Sequence, residues 1–271
     1  MGKISDQAKK RYSERIKEYK QVIEESKERE NTALAEMKKD LTGAELVKLS
    51  LSEEVLNRIS YYNLMNALSV SLLGVKNEGF LNDARKECYK SIIYLEEVVS
   101  NLIDVPFSDY EDKLDRIHDF SDQARYALIQ KLGFSIQSVK DGFGENSKWK
   151  WSFVELEGRY ATIIKNLLNL KTLIAGMDPR VDGYEIRLAH IELMKNSLHQ
   201  AADRYREKYE LSTLRMDDFK LAIAYLSALR RVLLLIGQSN EVEGIKRKID
   251  VWKSKMESDL KKQDTKKKIA K

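Results

Sequence analysis

Across residues 4–40 the apolar side chains fall at Ile4, Ala8, Tyr12, Ile16, Tyr19 and Ile23, then at Leu34, Met37 and Leu41. The steps of three and four trace one face of a helix. Between them EESKEREN offers nothing to bury, so the middle of this helix is expected to be solvated. Some 36 residues at about 1.5 Å each make a rod of about 54 Å, longer than a small domain is wide. Residues 1–42 are therefore expected to project as a helix that Thr42 and Gly43 stop. Its stripe is too narrow and too long to be satisfied by its own chain, which makes Tyr12, Ile16, Tyr19 and Ile23 candidate contacts for another protein or a second copy.

The same periodicity continues to residue 259. A short helix, AELVKLS, precedes the capping-box spacing Ser50-Leu51-Ser52-Glu53, which predicts a new helix ending at Gly74. A second helix over 80–103 is stopped by Pro106. Ser108 to Glu111 repeats the capping-box spacing and opens a long helix over 111–140, with a kink or break expected at Gly133. DGFGENSKWKW is the clearest boundary, placing a linker at 142–148 between a first lobe, 43–141, and a second, 149–259. The second lobe predicts helices over 149–175, 184–211, a stretch ending at Gly237, and 245–260. Three helix pairs share one punctuation, Gly then a mostly polar loop then Gly: Gly74 to Gly79, Gly176 to Gly183, and Gly237 to Gly244. The first glycine can take the left-handed conformation that closes a helix. The fold class expected is all-α, with long helices and antiparallel hairpins in an elongated bundle or irregular solenoid.

Within the first hairpin, Tyr61-Tyr62-Asn63-Leu64-Met65-Asn66-Ala67, with Ala84 early in the paired helix, resembles one tetratricopeptide repeat over residues 61–100. It departs from that family in a longer loop, a methionine where glycine is usual, and the lack of a 34-residue period. The resemblance implies stacked antiparallel helices with a concave protein-binding face.

Composition agrees with long helices, since 271 residues contain only 2 Pro and 12 Gly. Charged residues make up 34% and hydrophobic residues 42%, enough for each helix to have a wet and a buried face. The net charge of +5 sits wholly in the last eleven residues, KKQDTKKKIAK, where six lysines face one aspartate. That leaves the rest neutral and argues against a broad basic surface for duplex nucleic acid. Residues 260–271 are expected to be a disordered basic tail. As a sharper alternative, Lys261, Lys262, Lys266, Lys267 and Lys268 would clamp an anionic membrane or nucleic acid. Lys148-Trp149-Lys150-Trp151 is the other candidate contact, because tryptophan beside cations suits interfaces; the plainer reading anchors a helix start in the core. The N-terminus is charged from its third residue and predicts no signal peptide, while compartment stays open. The most apolar stretch is broken by Arg230 and Arg231 and predicts no transmembrane segment.

Catalytic chemistry is not signalled. His118, His190 and His199 lack the glutamate three residues earlier that di-metal bundles use, and no HExxH, phosphate loop, GxSxG or dinucleotide fingerprint occurs. The lone Cys88, on a helical pattern, is expected to be a core thiol. The sequence thus predicts a protein without cofactor or metal that assembles other proteins through helical surfaces, with an anionic-surface adaptor as the alternative.

Overall fold

A computed structural model describes residues 5–145 and 147–269, with side chains described as far as Lys262. The fold is all-α, and among these residues no strand occurs. The order is α1 (Asp6–Met37), α2 (Ala44–Leu73), α3 (Glu78–Val98), a 3₁₀ turn (Phe107–Asp109), α4 (Glu111–Asp115) and α5 (Asp122–Phe143). Then follow α6 (Lys150–Leu167), α7 (Leu170–Ala175), α8 (Tyr184–Lys208), a π turn (Tyr209–Thr213), α9 (Met216–Leu235) and α10 (Ser239–Ile269). They form two units, one of residues Met1–Ser100 with Glu111–Leu156, the other of Asn101–Tyr110 with Glu157–Lys271.

Several expected boundaries move, each for a local reason. Ser50 does not start a helix, and α2 runs unbroken from Ala44, because Leu49, Leu51 and Ser52 are buried in continuous phase with Val55 and Leu56. The break expected at Gly133 falls instead at 116–121, and α5 passes through Gly133 intact. There Ser121 caps α5 by accepting from the Ala124 N–H at 3.2 Å. The buried Arg125 guanidinium then folds back to donate to the Phe120 and Ile117 carbonyls at 2.7 and 2.8 Å, satisfying the end of the preceding turn. The helix expected over 149–175 is divided because the Asn169 side chain accepts from the Lys171 and Thr172 N–H groups and restarts the chain as α7. Gly237, at φ 75°, closes α9 as expected, but Gly244 lies inside α10.

The glycines of the middle hairpin make space as well as a turn. Arg187 donates to the carbonyls of Gly176 at 3.1 Å and Asp182 at 2.6 Å, tying the loop together. A Cβ on Gly176 would stand 2.6 Å from Arg187 Nε, and one on Gly183, at φ 78°, 3.0 Å from its Nη1.

In the first unit α1 does not project. It lies on α2, with Ile16 and Ile23 buried, and Leu34 and Ala33 pack on a cluster of Leu51, Val55 and Tyr94. The stretch 142–148 is not a linker either, because the Phe143 ring meets Trp149 and Phe153 at 6.4 and 5.9 Å within that same unit. The unit boundary falls instead inside α6, between Leu156 and Glu157. The second unit is built on α6, α8, α9 and α10, with Tyr205 stacked on Tyr225 and Tyr209 on Phe219 at 5.6 and 4.8 Å. Where a disordered tail was expected, α10 continues to Ile269.

Candidate functional site

The stretch of α1 read as solvated carries part of a buried cluster of charged side chains. Ser26 and Glu30 continue the buried face of Ile16 and Ile23, and they meet Arg58 of α2 and Glu87 of α3. Arg58 is 1% exposed. Its Nη1 donates to Ser26 Oγ at 2.9 Å, and its Nη2 to Glu30 Oε2 at 2.7 Å and Glu87 Oε2 at 2.8 Å. The Tyr94 hydroxyl donates to the other Glu30 oxygen, and Lys90 Nζ reaches Glu30 at 3.3 Å from the solvent side. Burial pushes the Glu30 carboxyl up, but the Tyr94 hydroxyl, Arg58 and Lys90 together outweigh it and hold it below the usual carboxylate range. Burial, then the bond to Glu30, raises the Tyr94 phenol. Fully paired groups of this kind join three helices and leave no ligand position open. Sequence reasoning missed them, although Glu30 sits seven residues after Ile23 and fourteen after Ile16, in phase with the buried face.

The candidate contacts divide. Ile16 and Ile23 are spent on the chain's own core, so they offer nothing to a partner. Tyr12 is half-buried and its hydroxyl accepts from Asn77 Nδ2 at 3.4 Å, while the half-buried Tyr19 packs on Tyr61 at 5.8 Å. The stripe is therefore largely covered internally. Trp149 is half-buried, with the Arg85 guanidinium 4.1 Å from its ring centroid, and Lys148 pairs with Glu78 at 3.2 Å. These two act as a helix anchor. Trp151 is also half-buried, under Lys150 Nζ at 4.8 Å. Lys261 and Lys262 are exposed, with Lys262 3.8 Å from Asp259, and the side chains of Lys266, Lys267 and Lys268 lie outside the described residues.

The chemistry-bearing residues are similarly occupied. His190 is buried and its Nε2 donates to the Ile164 carbonyl at 2.9 Å, and His118 Nδ1 lies 3.0 Å from the Asp115 carbonyl. Burial raises the Cys88 thiol to about 12, which removes its nucleophilic thiolate at neutral pH. Among the described residues, no three His, Cys, Asp or Glu side chains converge to hold a metal, and no helix is long and apolar enough to cross a membrane.

What the first unit presents outward is a ridge on α5 and α2. The inner face of α5 buries Arg125, Leu128, Ile129, Leu132, Ser135, Ile136 and Val139. On the seam with α2, Lys131 reaches Glu53 at 2.7 Å and Ser138 accepts from Asn63 at 2.8 Å. Phe134 falls between those two tethers, one helical turn from each, and is 76% exposed. Along the facing stretch of α2, Asn57, Ser60 and Leu64 are also exposed. A family model matches residues 8–260 of this chain. The chain belongs to the TP0443 family.

No curated protein and no solved structure matches it. The part of the TP0443-family chain that the match covers takes in both units, the charge cluster and the Phe134 ridge, and ends at Leu260, before the first of the tail lysines.

Proposed function

We propose that this TP0443-family chain is a non-catalytic protein that assembles other proteins through its helical surfaces. The observation that carries this reading is Phe134, the largest apolar side chain among those most exposed, held at mid-helix on a face whose neighbours are already tied down. Covering a phenylalanine contributes about 1.5–3 kcal/mol, which goes unrealised in the free chain. An aromatic centre ringed by polar groups, here the Glu53–Lys131 pair and the Asn63–Ser138 bond, is the anatomy of a binding hot spot. The likeness of residues 61–100 to a tetratricopeptide hairpin supports the same reading, and Ala84 is fully buried, as a small residue at a close helix crossing would be.

A free stripe on α1 offers no route to assembly, since Ile16 and Ile23 are buried. Support for the anionic-surface alternative is thinner, since Trp149 and Lys148 are engaged within the chain and the tail lysines follow the matched span. Affinity capture with the full chain, repeated with Phe134→Glu, tests the reading. Co-purifying proteins are expected to be lost from the variant while its circular dichroism and Tm stay unchanged. Capture that is unaffected by Phe134→Glu, yet collapses as salt rises and on removing residues 261–271, would overturn it in favour of the anionic adaptor.

A further inference from the structure

The ridge that carries Phe134 is flanked by charge but holds little of it. From Val55 to Leu73 α2 has a single charged residue, Arg58, which is buried, and on α5 none falls between Lys131 and Lys140. In a chain that is 34% charged, the wet side of a helix is where charged residues ordinarily collect. Here the exposed positions are instead Asn57, Ser60, Leu64 and Ala67 on α2, with Gln130, Phe134 and Gln137 on α5. An uncharged patch around an aromatic centre has the composition of an interface core.

The order of residues along α5 selects what covers it. Lys131 and Gln137 lie three residues to either side of Phe134, Gln130 and Ser138 four, and Ala127 and Asp141 seven. Two copies of α5 laid antiparallel about a two-fold axis at Phe134 therefore set Phe134 against Phe134, Lys131 against Gln137 and Gln130 against Ser138. The two rings cover one another, rimmed by groups that hydrogen bond. Gln137 Nε2 donates to Asp141 Oδ1 at 2.7 Å, so the amide that Lys131 meets is backed by a carboxylate. At a rise of about 1.5 Å per residue, Lys131 lies about 6 Å along the axis from the second copy's Asp141 and about 9 Å from the second copy's Lys131. A parallel pairing would instead set Lys131 on Lys131 and Asp141 on Asp141. Charge thus favours the antiparallel two-fold.

We propose that this face binds a second copy of the same chain, forming a two-fold dimer through antiparallel α5 helices with Phe134 at the axis. The dimer rests on the reading of Phe134 above and names its first partner. It presents the remaining surfaces twice, so proteins held by two weak contacts leave with Phe134→Glu as well.

Sedimentation equilibrium of the full chain is expected to show a reversible monomer–dimer equilibrium. Phe134→Glu, which puts two carboxylates at the axis, is expected to weaken it at least about a hundredfold while circular dichroism stays unchanged. Cross-linking reads the register. Lys131→Cys mixed with Gln137→Cys under mild oxidation is expected to form a disulfide-linked pair, because the two positions face each other. Either variant alone is expected to do so at least about tenfold more slowly, since like positions stand about 9 Å apart along the axis. The native Cys88 is fully buried and does not compete. A chain that stays monomeric at the highest attainable concentration, a dimer that survives Phe134→Glu, or a cross-link formed equally well by one variant alone overturns the proposal. The two readings fail separately: a monomeric chain whose captured proteins are still lost with Phe134→Glu keeps the assembly role and loses the dimer. A Phe134-dependent dimer whose captured proteins are indifferent to Phe134→Glu does the reverse.

Discussion

Replacing Arg58 with methionine strips the first unit of the group that holds α1, α2 and α3 to one another. The change removes donors to Ser26, Glu30 and Glu87 at 2.9, 2.7 and 2.8 Å, and leaves two carboxylates in the interior without their main counter-charge. Breaking a buried pair from one side costs about 3–5 kcal/mol. Lys90 still stands 3.3 Å from Glu30 and 4.0 Å from Glu87, which places the expected loss near the lower end, about 3 kcal/mol. Against a total stability of roughly 5–15 kcal/mol, that is a large fraction. Urea unfolding followed by tryptophan fluorescence measures it. Trp149 and Trp151 belong to the first unit and Trp252 to the second, so a Trp252→Phe background isolates the relevant transition. Replacing Arg58, Glu30 and Glu87 together by apolar residues is expected to recover most of the loss, because no orphaned charge is left behind. A loss below about 1 kcal/mol for Arg58→Met, or a triple variant no more stable than the single one, would refute the reasoning.

The Glu30 carboxyl is held below its ordinary 4.5, so its contribution is complete above that pH and is lost as pH falls through the depressed value; Glu30→Gln should flatten the acid limb of the first unit's stability curve. Lys165 is depressed from 10.5 to about 8, so the unfolded chain binds the extra proton in that window and stability rises with pH across it. Lys165→Met is expected to abolish that rise and to add on the order of 2–3 kcal/mol at neutral pH, by chemical denaturation. A Cβ on Gly158 would stand 2.6 Å from Tyr225 Oη and 2.7 Å from Tyr205, so Gly158→Ala should cost about 1–3 kcal/mol, seen as a lowered Tm of the second unit.

Helix class and several helix ends were legible because they are written locally. Gly74 and Gly237 take the left-handed conformation that closes α2 and α9, a choice made within four residues of themselves, and the 3.6-residue rhythm of α3 and α9 needs no distant partner. The fate of α1 was not legible, because a glutamate in phase with two isoleucines looks like a solvated residue until Arg58, 28 positions later, is brought against it. Lys165 was the more readable omission: a lone lysine inside an apolar run marks an interior cation, though only the fold shows that its ammonium lies over the Tyr110 ring. Trp149 could not be assigned from its neighbours in sequence, since the cation that covers it is Arg85.

The division of the backbone between the units has a practical corollary. Residues 101–110 are claimed by the second unit although both flanking segments belong to the first, so the polypeptide changes allegiance three times. No one scissile point can therefore release either half whole. An expressed 1–156 fragment would carry ten residues stranded from their packing, and 157–271 would arrive missing Ile103, Val105 and Tyr110 from the wall around Lys165. During synthesis, too, that short excursion must wait for sequence not yet made before it can settle.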